Sequence, residues 1–129
     1  MLLVSHALAG FVGFLGGIYL LPILTAPPPP DDAVVQAVAE QARFSGEFRR
    51  DLEDSDALHW GMGTVAIGSD AVSLLGEIAP GPDYKLYLSP QFVETEADFL
   101  RLKANMVQVG DVKTFKNFVV PLPTTVDPA

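Results

Sequence analysis

The sequence predicts an all-β domain, an antiparallel β-sandwich or partly open barrel with one helical insertion, preceded by an N-terminal transmembrane helix. Three observations carry this reading. None of the 8 basic and 16 acidic residues lies in the first thirty positions, so the formal charge of −8 belongs wholly to the chain beyond Pro30. Beyond Arg43 apolar side chains recur with a period near two, the period of a strand. Clusters of Gly, Pro, Asp and Ser separate those runs at the short spacing of an antiparallel fold. The 129 residues allow one ordinary domain.

From Leu2 to Leu24 there is no charged side chain. At ~1.5 Å per residue, such a run is long enough to cross a hydrocarbon core of ~30 Å. Residues 1–26 therefore read as a retained membrane anchor. The competing reading is a cleaved signal peptide. The run is longer than the usual apolar region of such peptides, and the convenient small-residue site around Thr25-Ala26 is followed by Pro27. The first basic residue is Arg43, and Asp31 and Asp32 open the C-terminal flank, whereas the other flank holds only the α-amino group. That asymmetry places the N-terminus in the cytoplasm and the β domain on the periplasmic or extracellular side of the cell membrane, as a single-pass protein. Gly13 and Gly17 form a GxxxG pair on which a second helix can approach closely, so they are candidate helix-contact residues and a route to a membrane-protein complex.

Residues 27–42 read as a spacer and a short helix. Pro27 to Pro30 cannot continue a helix and favour an extended segment. Asp31 or Asp32 can cap a new helix over 32–42, in which Val34, Val38 and Ala42 recur at the i+4 spacing with Val35 and Ala39 beside them. Residues 43–129 form the β domain. Strands are expected at Phe44–Phe48, Gly61–Ile67, Ala71–Ile78, Tyr84–Leu88, Met106–Val109 and Lys116–Val120. The helical insertion follows Pro90. Thr95 and Asp98 resemble a capping box, Glu94 and Glu96 suit the positive end of the helix dipole, and Arg101 and Lys103 suit the negative end. The expected core is Phe44, Phe48, Val65, Ile67, Leu74, Ile78, Leu86, Leu88, Val109, Phe118 and Val120, with Met62 and Met106 as fillers.

Composition removes several function classes. Without cysteine this sequence holds no disulfide framework, zinc ribbon, iron–sulfur ligand set or thiol nucleophile. His6 and His59 are too few for a multi-histidine metal site, and no cofactor is indicated. An acidic body without a basic run argues against nucleic acid as a partner. Asp51, Glu53, Asp54 and Asp56 could gather calcium ligands, but the loop lacks the EF-hand glycine and a glutamate at the twelfth position. It reads as a solvated loop. No nucleophile–base pair or G-x-S-x-G elbow supports a hydrolase, and no catalytic residue is assigned. The remaining polar candidates are His59, Asp83 and Lys85, the last two placed by a rigid Pro80-Gly81-Pro82 turn. They form one site if His59 and Asp83 share an end of the sheet. Alternation puts Tyr84 and Tyr87 on opposite faces, which argues against a shared aromatic platform.

The runs Phe44-Ser45-Gly46-Glu47-Phe48, Ser55 to Thr64 (SDALHWGMGT), Pro80 to Ser89 (PGPDYKLYLS) and Gly110-Asp111-Val112-Lys113 together resemble the DM-thirteen domain family. The resemblance covers roughly residues 43–123. It implies a small extracytoplasmic all-β module, related to DOMON domains, for which a redox or electron-transfer role has been proposed. Members usually continue into a further strand with a Trp-Cys pair. This sequence reaches Ala129 without one, so the domain is expected to be incomplete at its C-terminal end, as a fragment or a shortened variant. Two functions follow as expectations. One is a membrane-anchored binding or accessory module, docked to a partner or a larger membrane complex. The other is a redox module whose cysteine lies outside this sequence.

Overall fold

The computed structural model describes residues 1–128. Helix α1 runs over Leu2–Thr25, 24 residues long and apolar on every side, with none of its residues buried against the rest of the chain. At ~1.5 Å per residue it measures ~36 Å, long and apolar enough to span a bilayer. Its few polar side chains turn back on their own backbone. Ser5 Oγ donates to the Leu2 carbonyl (2.7 Å) and Thr25 Oγ1 to the Leu21 carbonyl (2.8 Å), while His6 Nδ1 lies 2.7 Å from the Leu2 carbonyl. Groups placed in hydrocarbon have no water to bond, so internal satisfaction is what an apolar surrounding demands. Pro22 falls in the last turn, where its missing N–H costs one bond near the helix end.

After the prolines, α2 covers Asp32–Ala39, shorter than the expected 32–42 because the chain tightens into turns at Gln41 and Ala42. Val35 is fully buried, while of the expected i+4 stripe Val34 is 53% exposed and Val38 and Ala42 are half-buried. Neither aspartate caps the helix with its side chain at Asp31, the N-cap.

Strands β1 (Phe44–Phe48), β2 (Gly61–Ile67), β3 (Ala71–Ile78) and β6 (Lys116–Pro121) form one antiparallel sheet in the order β1-β2-β3-β6. A second sheet pairs β4 (Tyr84–Leu88) with β5 (Val107–Val112). Between β4 and β5 lie α3 (Glu96–Leu102) and a single 3-10 turn at Lys103–Asn105. The α3 cap forms as its sequence suggests. Thr95 Oγ1 accepts from the Asp98 N–H (3.1 Å), and Arg101 binds Asp98 (2.8 Å), holding that carboxyl below its usual range. The whole is thus a mixture of antiparallel sheets and helices, with the apolar helix at the N-terminus.

The core lies between the sheets. Val72, Leu74, Phe118 and Val120 from the larger sheet meet Val109 and Val112 of β5, with Leu122 beyond β6. The opposite face of the larger sheet, with buried Ala66 and Ser73, is covered by α2, which packs on β2, β3 and β6. The Ser73 hydroxyl is buried there with no hydrogen-bond partner among the described residues. Two expected core residues are not core. Phe44 is 46% exposed and Phe48 37%, because β1 is an edge strand and the two-stranded sheet does not reach over it. Met62 is likewise exposed, on the outward face of β2. Val65, Ile67, Ile78, Leu86 and Leu88 pack against the core but remain only partly buried for the same reason.

Two backbone devices shape the larger sheet. Gly63 and Gly76 stand opposite each other in the β2–β3 pair, Gly63 at φ +131°. A Cβ on Gly63 would strike the Leu75 carbonyl oxygen, and one on Gly76 the Met62 carbonyl oxygen. Further along, the β3–β6 register slips between Leu74 and Glu77, and Asn117 sits at the slip with φ 50°. Asn117 is only 3% exposed. Its Oδ1 accepts from the Gly76 N–H (3.1 Å), and its Nδ2 donates to the Pro30 carbonyl (3.2 Å) and to Asp32 Oδ1 (2.7 Å). Thr114 Oγ1 donates to its carbonyl. One buried amide thereby ties the proline spacer and the start of α2 to the sheet.

Candidate functional site

The sheets come together where β5 meets β6 and gape between β1 and β4, each paired on one side only. An open, mostly apolar cleft of about 820 Å³ lies in the gap. That volume is typical of ligand-sized sites, which run ~300–1,000 Å³. Its floor is Val65, Ile78 and Phe118, with Phe44 and Phe48 on one wall and Leu86 on the other. Phe92, 72% exposed, and Trp60 stand at the rim, and the Arg50 guanidinium lies 4.0 Å from the Trp60 ring centre. The exposed phenylalanines that fail as core residues are thus the walls of a cleft. Alternation marks them as inward-facing, but no local signal tells a covered face from an open one.

Of the three polar candidates, the structure brings two together. Lys85 Nζ donates to Asp83 (2.6 Å) and to Asp111 (2.8 Å). The hydrogen bond it donates to Asp111, then that to Asp83, holds the Lys85 ammonium above the usual lysine range, and Lys85 in turn holds the Asp111 carboxyl low. Asp83 has φ 54°, which an aspartate in a tight turn tolerates, so the Pro-Gly-Pro turn aims its carboxylate at Lys85. Tyr84 between them packs edge-on to Phe115 (6.3 Å between ring centres), and burial raises its pKa. Asp111 is the member that sequence reading missed. Its partner is 26 residues away, and only the β4–β5 register, Lys85 opposite Asp111, brings them together.

His59 lies toward the same end of the sheets as Asp83, since Trp60 accepts from the Ala79 N–H ahead of the Pro80–Asp83 turn, but its own hydrogen bonds go elsewhere. Its Nδ1 lies 3.0 Å from both carboxylate oxygens of Asp56, the placing of a ring N–H donor. The Leu58 and His59 backbone N–H groups donate to the same carboxylate (2.7 and 2.8 Å). These bonds, the His59 side chain's foremost, keep Asp56 below its ordinary pKa. His59 lines the apolar cleft, as does Lys85, but no hydrogen bond joins His59 to Asp83 or Lys85 among the described residues.

The acidic loop at 51–56 is engaged with the start of α3. Glu53 N–H donates to Glu94 (3.0 Å), and Glu96 N–H donates to Asp54 (2.6 Å), a reciprocal clasp beside the cleft. Among the described residues no three His, Asp or Glu side chains converge as a metal site. Gly13 and Gly17 lie on α1 with nothing within 4 Å of a Cβ built on either, so a second helix would meet no obstruction there. The architecture is that of a small antiparallel-sheet domain with an open apolar cleft, joined by a short spacer to an apolar helix. No protein-family model, curated protein or solved structure matches the chain.

Proposed function

We propose that the chain is a single-pass membrane protein whose β domain is a binding or accessory module of the DM-thirteen type, a partly open barrel on the periplasmic or extracellular side. Its cleft receives an apolar, extended segment of a partner in the same membrane. The cleft between β1 and β4 is the observation that carries this reading. Two strand edges with unpaired backbone groups flank one apolar gap, and an added strand would satisfy both the edges and the exposed rings. Gly13 and Gly17 offer a second contact within the bilayer. The redox alternative requires a thiol that these residues do not supply.

The test is co-purification of the full chain with its membrane partner after crosslinking from a photoreactive side chain at Phe48. Phe44→Glu, at an already exposed position, is expected to abolish the adduct without unfolding the domain. Gly13→Leu combined with Gly17→Leu is expected to weaken co-purification while leaving the cleft adduct in place. Unchanged adduct formation in Phe44→Glu would refute the cleft as the binding site. Protease digestion of the β domain in intact cells tests its side of the membrane.

A further inference from the structure

The spacer between α1 and the sheet is shorter than four consecutive prolines suggest. Asn117 holds the Pro30 carbonyl and the Asp32 carboxylate, so the free stretch is only Ala26 to Pro29. At ~3.1 Å per residue in an extended proline segment, that stretch spans on the order of 12 Å. A second observation, independent of the first, says which end of the domain meets the helix. Leu21, Pro22 and Thr25 of α1, with Ala26 just beyond it, border a small cavity of about 350 Å³ whose other wall is the Gly81–Asp83 turn and the end of β5 with the turn that follows it. We propose that these two turns form a membrane-contacting surface, seated on lipid headgroups beside the exit point of α1, so that the domain stands in one attitude rather than swinging on a tether.

The charge distribution fits that occupant. The body carries the whole formal charge of −8, and an anionic or zwitterionic surface would repel most of it or leave it unbound. On these turns, however, the carboxylates of Asp83 and Asp111 are matched by the ammonium groups of Lys85 and Lys113, two against two. The pairs with Lys85 satisfy both carboxylates within the protein. Half-buried Tyr84 and Phe115 stand at the same end. Tyrosine and tryptophan are the side chains that settle at headgroup depth, and Tyr84 is the one present here. The inference rests on α1 spanning the bilayer.

Because the sequence has no cysteine, a single introduced thiol reports one position cleanly. Pro82→Cys places a label on the proposed surface without altering its charge balance, and Ala104→Cys places one at the opposite end of β4 and β5, on the order of 15 Å further along the strands. The full chain is reconstituted in phosphatidylcholine vesicles carrying a headgroup nitroxide, and quenching of an environment-sensitive fluorophore is read at both sites. The expected result is at least threefold stronger quenching at position 82 than at 104. Asp32→Ala and Asn117→Gly, two routes to loosening the tie, are expected to narrow that ratio. Equal quenching at both sites in chain that floats with the vesicles would overturn the surface while leaving the anchor intact. Chain that does not float with the vesicles would overturn the anchor, and the surface with it.

Discussion

Replacing Asn117 by alanine is expected to be among the most damaging single changes in the domain, although the residue touches no ligand and sits in a strand. The side chain makes three hydrogen bonds, one to an ionised carboxylate, in a position 3% exposed. Neutral bonds contribute about 0.5–1.5 kcal/mol each and charge-assisted ones about 1.5–3 kcal/mol. Their loss therefore costs about 2.5–6 kcal/mol, with the part-buried Gly76 N–H and Pro30 carbonyl left without their side-chain partner. Alanine must also hold φ 50°, which costs about 1–2 kcal/mol more. Small domains have about 5–15 kcal/mol in all, so the variant should approach unfolding. Asn117→Gly removes the same bonds without the backbone penalty and should recover about 1 kcal/mol relative to alanine. The assay is urea unfolding of the full chain in a non-ionic detergent, followed by the fluorescence of Trp60, the single tryptophan. An alanine variant within about 0.5 kcal/mol of the parent, or one equal to the glycine variant, would refute the argument.

Gly63→Ala and Gly76→Ala each direct a methyl group at the facing strand's backbone, so either should lower the urea midpoint far more than Gly46→Ala, whose Cβ meets open space. Ser73→Ala removes a buried hydroxyl without a partner among the described residues and should leave the unfolding free energy unchanged or raise it by up to about 1 kcal/mol, measured in the same way. Asp56 has a lowered pKa in the folded chain, so its contribution is complete above the unfolded value of ~3.9 and is lost as the pH falls through the folded value. The difference in midpoint between the parent and Asp56→Asn should accordingly close as the pH falls below the unfolded value.

Elements whose signals are local were legible. The strands at Gly61–Ile67, Ala71–Ile78 and Tyr84–Leu88 follow directly from alternation between turn clusters, and the Thr95–Asp98 cap spans three residues. The site was legible only in part. Asp83 and Lys85 are neighbours in sequence, so their pairing was within reach, but the Asp111 that completes it depends on strand register. His59 takes a partner three residues back and leaves the others. The ties that fix the architecture join residues 85 and 87 positions apart at Asn117, and 41 and 42 apart at the acidic clasp. No periodicity encodes such distances. A polar residue interrupting the apolar run at Asn117-Phe118-Val119-Val120 was the one available hint of a bulge.

The clasp between the 51–56 loop and the start of α3 is expected to respond to ionic strength differently from an ion pair. Its bonds run from backbone N–H groups to Glu94 and Asp54, so no cation holds it shut, while the carboxylates it gathers repel one another. Dissolved salt screens that repulsion over a Debye length of ~8–10 Å and leaves the short hydrogen bonds nearly untouched. The exposed Arg101–Asp98 and Arg49–Asp51 pairs weaken under the same conditions. Higher ionic strength is therefore expected to weaken those surface ion pairs while leaving the clasp beside the cleft in place.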